Sequence, residues 1–580
     1  MARYTGFFFC LFIPLAFLVI LFLDLGRATI TYGQVSPPHS QAWVVRAHYT
    51  NRQQASRLAS RHAPWETHNN ADETGYHIIE VTQDEYNRLR SEGIRLAIDE
   101  AQTARLHTPT RPLPGQSKGI PGFPCYRTVE ETYATAATIA ADYPDLATWI
   151  DIGDSWQKSQ SDDSGYDIMA LQLTNRTISE TARAKPALFI IAAVHAREYA
   201  PAELATRFAE YLVENYNAIA DVTWLLDEHT IHLVLIGNPD GRKKAEGGLL
   251  WRKNANNTFC ANTTSRGVDI NRNFSFQWSL GVGNQCSETF AGPVAASEPE
   301  TQAIQTYLRT HIADQRDDPI SAAAPLTTTG LVLDLHSYSE LVLWPWSFTT
   351  QQSPNHVELQ TLGRKMAAFN GYTPQPIHKL YTAHGTTADF AYGELGVAAY
   401  IIELGTEFFQ QCSVFEQDIV PGNLPMLLYA AKAAFAPYRV PAGPDVVDIA
   451  VSPLRLTPGD VVSLTATIDD TRYHTASHAP DGEEPAQNIA AAEYFIDTPP
   501  WASPSPIAYP MLPADGTFDQ PAEAVAAMIP TGHLTIGRHT LFVRGQDANG
   551  NHGPVSAVFL DVPDPALAPV PTYMPIVLKQ

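Results

Sequence analysis

The sequence predicts an α/β fold, with a small α+β unit before it and an immunoglobulin-like β-sandwich after it. Three observations carry that reading. Short apolar runs of the kind that form buried central strands recur between residues 125 and 440, separated by helix-prone stretches. Upstream, strand-like and helix-prone segments alternate within residues 42–105. Beyond Pro441 the texture changes to alternating strands broken by turn residues. A chain of 580 residues exceeds what one hydrophobic core organises, so several folded units are expected.

In chain order, residues 1–33 read as a signal peptide or membrane anchor. Gly6–Leu23 is apolar with only Arg3 before it, a length that suits export and leaves an uncleaved anchor open. In the 42–105 unit, Trp43–Ala47 reads as a strand and is followed by a helix-prone stretch and a second strand, Tyr76–Val81. A helix over Asp84–Glu92 stops at Gly93 and leads into Ile94–Ile98. Residues 106–124 lose periodicity and collect Pro109, Pro112, Pro114, Pro121 and Gly122, so they form a linker. Arg105, Arg111 and Lys118 offer that linker to a trypsin-like activating protease.

The 125–440 segment carries four apolar runs, Ala187–Val194, Ile231–Ile236, Gly330–Leu335 and Ala398–Leu404, with a helix expected over Pro201–Asn215. In open sheets of this kind ligands gather beyond the carboxyl ends of strands, and each run ends at or beside a polar residue of interest. In 445–562, strands are expected over Leu454–Ile468, Ala492–Ile496, His539–Gly545 and Val555–Val562, with a turn at Asp547–Asn551 between the last two. Residues 563–580 are a Pro-rich, extended tail.

Composition narrows the function. Hydrophobic residues at 44% and charged residues at 17% fit packed cores rather than a disordered chain. A net charge of -23 excludes a nucleic-acid partner, because phosphate binding needs a basic face to displace counterions. Cys10 lies in the apolar start, which leaves Cys125, Cys260, Cys286 and Cys412. An even count suits two disulfides in an exported protein, and the count alone leaves three pairings open.

Val194-His195-Ala196-Arg197-Glu198 closes a buried strand, and a His and a Glu three apart there can aim two ligands at one zinc ion. Taken alone, His-x-x-Glu is a common coincidence. A third ligand, His336, ends another apolar run in Leu335-His336-Ser337-Tyr338. Between and beyond them stand Asn238-Pro239-Asp240-Gly241, Trp251-Arg252-Lys253, Gly267 to Asn273 (GVDINRN), Tyr381 with Asp389, and Ile402-Glu403-Leu404.

In this order the set resembles the funnelin zinc carboxypeptidases, from about Tyr126 to Tyr438. The resemblance implies a mixed twisted sheet flanked by helices, one zinc per catalytic domain, and residues 42–105 as a prodomain that covers the cleft. His195, Glu198 and His336 match the zinc ligands, and Asp269 matches a carboxylate that fixes the first histidine's tautomer. Arg252 matches the oxyanion-stabilising arginine and Glu403 the base. Asn271 and Arg272 match the grip on the substrate's terminal carboxylate, with Arg197 in the outer subsites, Tyr338 in the substrate-binding set and Tyr381 as a closing lid. Cys260 and Cys286 match a known bridge, which leaves Cys125 for Cys412. Ala388, seven residues after Tyr381, stands where the family selects the C-terminal side chain. With Thr386, Thr387 and Leu343 also uncharged, a neutral or apolar residue is expected there.

The implied activity is a secreted metallocarboxypeptidase acting on peptides or proteins with a free C-terminus, through zinc-activated water with Glu403 as general base. Two alternatives stand beside it: a peptidase-fold binding or attachment protein working through the C-terminal module, and a cell-wall peptide hydrolase of the same fold.

Overall fold

The computed structural model describes residues 42–564, apart from 71, 107, 179–183, 262–264, 280–283, 454–455, 457–458, 473–483 and 503–504. The apolar start and nearly all of the Pro-rich tail therefore lie outside the described residues. Three sheets organise the rest.

The first holds β1 (Trp43–Tyr49), β2 (Glu66–Asn69), β3 (Gly75–Val81) and β4 (Arg95–Ile98) in the order β2-β3-β1-β4, with every pairing antiparallel. Helices Arg52–His62 and Gln83–Ser91 pack against it. The second helix begins at a capping box in which Thr82 and Glu85 satisfy each other's backbone amides. Asp84–Glu92 was thus legible to within a residue at each end, whereas β2, which is mostly exposed, carries no apolar alternation to betray it.

The second sheet has eight strands: β5 (Ala147–Asp154), β6 (Asp167–Leu173), β7 (Ala187–Ala192), β8 (Thr230–Val234), β9 (Leu331–His336), β10 (Leu341–Trp344), β11 (Thr373–Pro376) and β12 (Ala398–Glu403). Their order is β11-β10-β12-β9-β7-β8-β6-β5. The middle four, β12, β9, β7 and β8, run parallel, and antiparallel pairings flank them, so the sheet is mixed. The buried runs read from the sequence are these four parallel strands, each reproduced to within two residues. Helix Tyr199–Glu214, expected over Pro201–Asn215, lies against β7 and β9. Because the four strands are parallel, their carboxyl ends share one edge, where His195, His336 and Glu403 all fall.

The third sheet holds β13 (Asp445–Ser452), β14 (Val461–Asp469), β15 (Ile489–Ile496), β16 (Tyr509–Pro513), β17 (Ala522–Pro530), β18 (Gly537–Asp547) and β19 (Ser556–Val562), in the order β13-β14-β17-β16-β15-β18-β19. All its pairings are antiparallel, and the ribbon folds over so that β13 also meets β18 and β19 around a core including Leu464, Ile468, Leu541 and Val543. This is the expected sandwich. β13, β16 and β17 are additional to the four strands expected from sequence; β17 is half alanine-like in texture and gives a weak alternation.

Two disulfides are present, Cys260–Cys286 and Cys125–Cys412. The second ties the start of the eight-stranded unit to the loop after Glu403. The sandwich does not hang free of that unit. Phe495, Phe542, Val555 and Ala557 belong to the main core, and Trp224 sits 5.4 Å from Trp501 and 6.4 Å from Phe542 between ring centres. A buried Lys365–Asp445 pair at 2.9 Å spans the same boundary. The two units are therefore expected to unfold together. Phe542→Ala, which empties a shared aromatic contact, should cost about 3–5 kcal/mol. Thermal unfolding followed by tryptophan fluorescence should show one transition, lowered as a whole in the variant; two separate transitions would count against a shared core.

Candidate active site and metal centre

His195 follows β7 through Ala193, whose φ of 52° lets the chain turn sharply out of the strand. The turn is pinned by Ala196 N–H donating to Arg252 O (3.0 Å) and by the Asn238 side-chain amide donating to Val194 O and Lys253 O. These contacts bring Arg252 beside His195. Glu198 stands at the N-cap position of helix Tyr199–Glu214, but its carboxylate makes no capping bond and turns instead to His195, His336 and the Ser337 amide. His336 ends β9, and Glu403 lies beside it in register on β12.

Three donors converge. His195 Nδ1 lies 2.8 Å from Glu198 Oε1 and 3.0 Å from His336 Nδ1, which in turn is 3.0 Å from Glu198 Oε2. Among the described residues this is the one cluster of its kind. All three side chains are buried. The Nε2 atom of each histidine faces a carboxylate, Asp269 Oδ1 at 3.1 Å from His195 and Asp334 Oδ2 at 2.9 Å from His336. With the ring protons directed there, two Nδ1 lone pairs and a carboxylate oxygen point at one spot, which is repulsive without a cation between them. Two imidazole nitrogens and a carboxylate form the donor set of a catalytic zinc site with one coordination position left open. The residues fit the ion.

The electrostatics follow from burial and partners. Burial alone would raise the Glu198 carboxyl, yet His195 and His336 hold it well below the usual range. Asp269 likewise resists burial and is held low, chiefly by Arg252 and His195; Arg252 donates to it through Nε (3.1 Å) and Nη2 (2.9 Å). Burial works to lower His336, but Asp334 and Glu198 outweigh it and raise the ring well above its ordinary value. Glu403, partly open to the cleft, is pushed up to about 8 by burial, helped by the charges of Glu198 and Asp334 against those of His336 and Arg252.

One cleft is lined by the triad, Arg197, Arg252, Asn271, Arg272, Tyr338, Tyr381 and Glu403. Arg272 donates to Asn271 O (2.6 Å) and to the Tyr381 hydroxyl (3.2 Å). Asn271 Oδ1 accepts from Thr387 N–H (2.9 Å), which fixes the amide's orientation. Leu343 and Thr386 line the cleft, whereas Thr387 and Ala388, in helix Thr387–Leu395, do not. Arg197 is not open to an outer subsite here: it is 1% exposed, pairs with Glu80 at 3.0 Å, and lies over the rings of Trp65 and Phe408. Ala63, Pro64 and Trp65 of the N-terminal unit line the same cleft, and the Tyr338 hydroxyl donates to Glu66 (3.2 Å).

A model of the zinc carboxypeptidase family matches residues 132–421, half of the chain. The chain belongs to the zinc carboxypeptidase family. It is a zinc metallocarboxypeptidase, a peptide hydrolase. Bovine carboxypeptidase A1 is 27% identical over 321 residues, which cover 53% of this chain and 68% of that protein. Bovine carboxypeptidase B is 30% identical over 279 residues, 46% of this chain and 60% of the relative. The solved carboxypeptidase A from Helicoverpa armigera shares the fold at a TM-score of 0.51 and 21% identity, covering 69% of this chain and 98% of that one.

Two residues of this zinc carboxypeptidase site escaped the sequence reading. Asp334 stands two positions before His336 on one strand, so the period of two puts both on one face, a signal that was available. Glu80 had no such signal, because its partner Arg197 is 117 positions away. Asp269→Asn should weaken zinc binding about 10–100-fold, since it removes the charged acceptor that orients His195. Chelator competition on the purified protein measures this; parental affinity in the variant would deny Asp269 that part.

Proposed function

We infer that the chain is a secreted precursor of a carboxypeptidase that removes neutral or apolar C-terminal residues. The observation that carries the reading is one cleft holding a three-donor metal site, a carboxylate next to it and an arginine–tyrosine pair. When bound, zinc supplies a Lewis acid that activates water and polarises the scissile carbonyl.

The chain's own residues supply the rest. Arg272 forks onto the substrate's terminal carboxylate and Asn271 adds an amide donor, which restricts cleavage to the chain end. Tyr381, already on Arg272, is placed to close over the bound residue. Glu403 takes the proton from the attacking water and returns it to the leaving amine, a task suited to a carboxyl whose pKa burial has raised. Arg252, held by Asp269, faces the developing oxyanion; one such donor contributes about 3 kcal/mol of barrier lowering.

The preference follows from the cleft's lining. Leu343, Ile377, Leu380, Ala383, Thr386 and Ile401 carry no charge. Asp389, the neighbouring carboxylate, is occupied by Ser347 and by the amides of Ser347 and Phe348. A basic side chain would find no partner there.

Residues 42–105 support the precursor reading. Their Trp65, Glu66 and Glu80 engage Phe408, Tyr338 and Arg197, and Trp65 joins a buried cluster with Phe408. Arg105, in the helix Glu100–Leu106 that ends the unit, and Arg111 and Lys118 in the stretch that follows are exposed, open to an activating protease. Secretion accords with the two disulfides. No helix among the described residues is long and apolar enough to cross a membrane, and the 1–33 segment lies outside them. The sandwich is read as a module that spaces or attaches the catalytic unit.

Three outcomes are expected. Glu403→Gln should lose about 10²–10⁴-fold in kcat while keeping its zinc, because only proton transfer is removed; a variant with normal turnover would refute the assigned base. Mass spectrometry of blocked peptides differing only at the C-terminus should show Phe or Leu released faster than Lys or Arg, and the reverse order would overturn the preference. Limited trypsin treatment that cuts between residues 105 and 124 should raise kcat/KM of the full chain, with Glu80→Gln raising the uncut chain's activity; if neither changes, residues 42–105 do not inhibit.

A further inference from the structure

We propose that Asp334 is a positioning residue for the second metal-ligating histidine, and that it frees Asn271 for substrate. The inference rests on His336 being a zinc ligand. Asp334 is fully buried, and its register neighbours on the two adjacent strands are Ile401 and Ile191. Among the described residues its only polar contact is the 2.9 Å approach of Oδ2 to His336 Nε2, and neither oxygen receives a hydrogen bond. A buried carboxylate with one neighbour is costly to keep unless that neighbour repays it.

The requirement lies in the imidazole. An imidazole that gives its Nδ1 lone pair to a metal carries its proton on Nε2, and that proton needs an acceptor. Two side chains are in reach of His336 Nε2: Asp334, and Asn271 through Nδ2 at 3.0 Å. Asn271 cannot accept. Its oxygen is committed to the N–H and hydroxyl of Thr387, so the atom facing the ring is the amide nitrogen, itself a donor. Two N–H groups facing each other repel, and Asp334 alone can take the ring proton. With that hydrogen bond made, the Asn271 amide protons turn to another acceptor, and the terminal carboxylate bound by the adjacent Arg272 is the acceptor the cleft admits. Asp269 holds the first histidine in the same way, so each metal-binding ring has its own buried carboxylate.

The test compares zinc release from the full chain and from Asp334→Val and Asp334→Asn, using a colorimetric chelator in excess. The Val variant, which is apolar, suited to a buried strand and without an acceptor, should release zinc about 10–100-fold faster than the parent, with the isosteric Asn between them because its amide oxygen still accepts. The melting temperature of the zinc-free protein should not fall, since a buried charge is being replaced by an apolar group. With zinc saturating, KM for a blocked peptide should rise more than kcat falls, because Asn271 is held back. Parental zinc release in the Val variant, or a zinc-free melting temperature that drops by as much as the zinc-bound one, would overturn the inference and leave the metal site standing. A parent chain that binds no zinc at all would remove the metal-site reading as well.

Discussion

Two imidazole nitrogens and a carboxylate crowded to within about 3 Å of one another, away from water, are the constraint on which the rest of the structure depends. Such a group of acceptors is stable only around a cation, and only if both ring protons are drawn to the far side of each imidazole. Asp269 meets that second condition for His195 through a hydrogen bond, and Asp334, 2.9 Å from His336 Nε2, is placed to meet it for the other ring. They are themselves buried charges, and Arg252 balances the first of them. A chain of charge compensation thus runs outward from the triad, each member justified by the one before it. The parallel edge of β7, β9 and β12 fixes the backbone from which His195, His336 and Glu403 reach the site.

The same edge explains why the cleft can be covered. Its rim presents Arg197, Tyr338 and Phe408, and the four-stranded unit answers with Glu80, Glu66 and Trp65. An arginine enclosed by Glu80, Trp65 and Phe408 holds that unit by a charge pair and by ring faces together. The contact lies close to the metal ligands because Arg197 sits between His195 and Glu198 in sequence.

Much of this was legible in the residues. The four parallel strands announced themselves because a strand buried on both faces must be apolar throughout, and Ala187–Val194 or Ala398–Leu404 has no other reading of similar economy. The ligands were legible because they end those strands and because the motifs around them recur as a set. Asp334 was missed since an aspartate inside a buried run looks like an interruption until its ring partner is known. Arg197 between two metal ligands suggests an outer subsite, and in the structure it meets Glu80 and Trp65 of the N-terminal unit together with Leu250 O, Glu288 and Phe408, contacts that sequence spacing does not reveal. The exposed strand β2 carries no apolar alternation and that of β17 is diluted by its alanines, so their pairing depends on neighbours the local sequence does not contain.

The sequence by itself determined the fold class, the order of the units, the family resemblance and the identity of the donors. All of these are written in local pattern and residue type, which a linear reading preserves. Only the tertiary structure decided which nitrogen of each histidine faces inward, how Asn271 is turned and what Arg197 touches. It also decided that the sandwich shares a core with the catalytic sheet. Those outcomes depend on hydrogen-bond direction and on contacts between residues often a hundred or more positions apart, and neither is encoded by spacing along the chain.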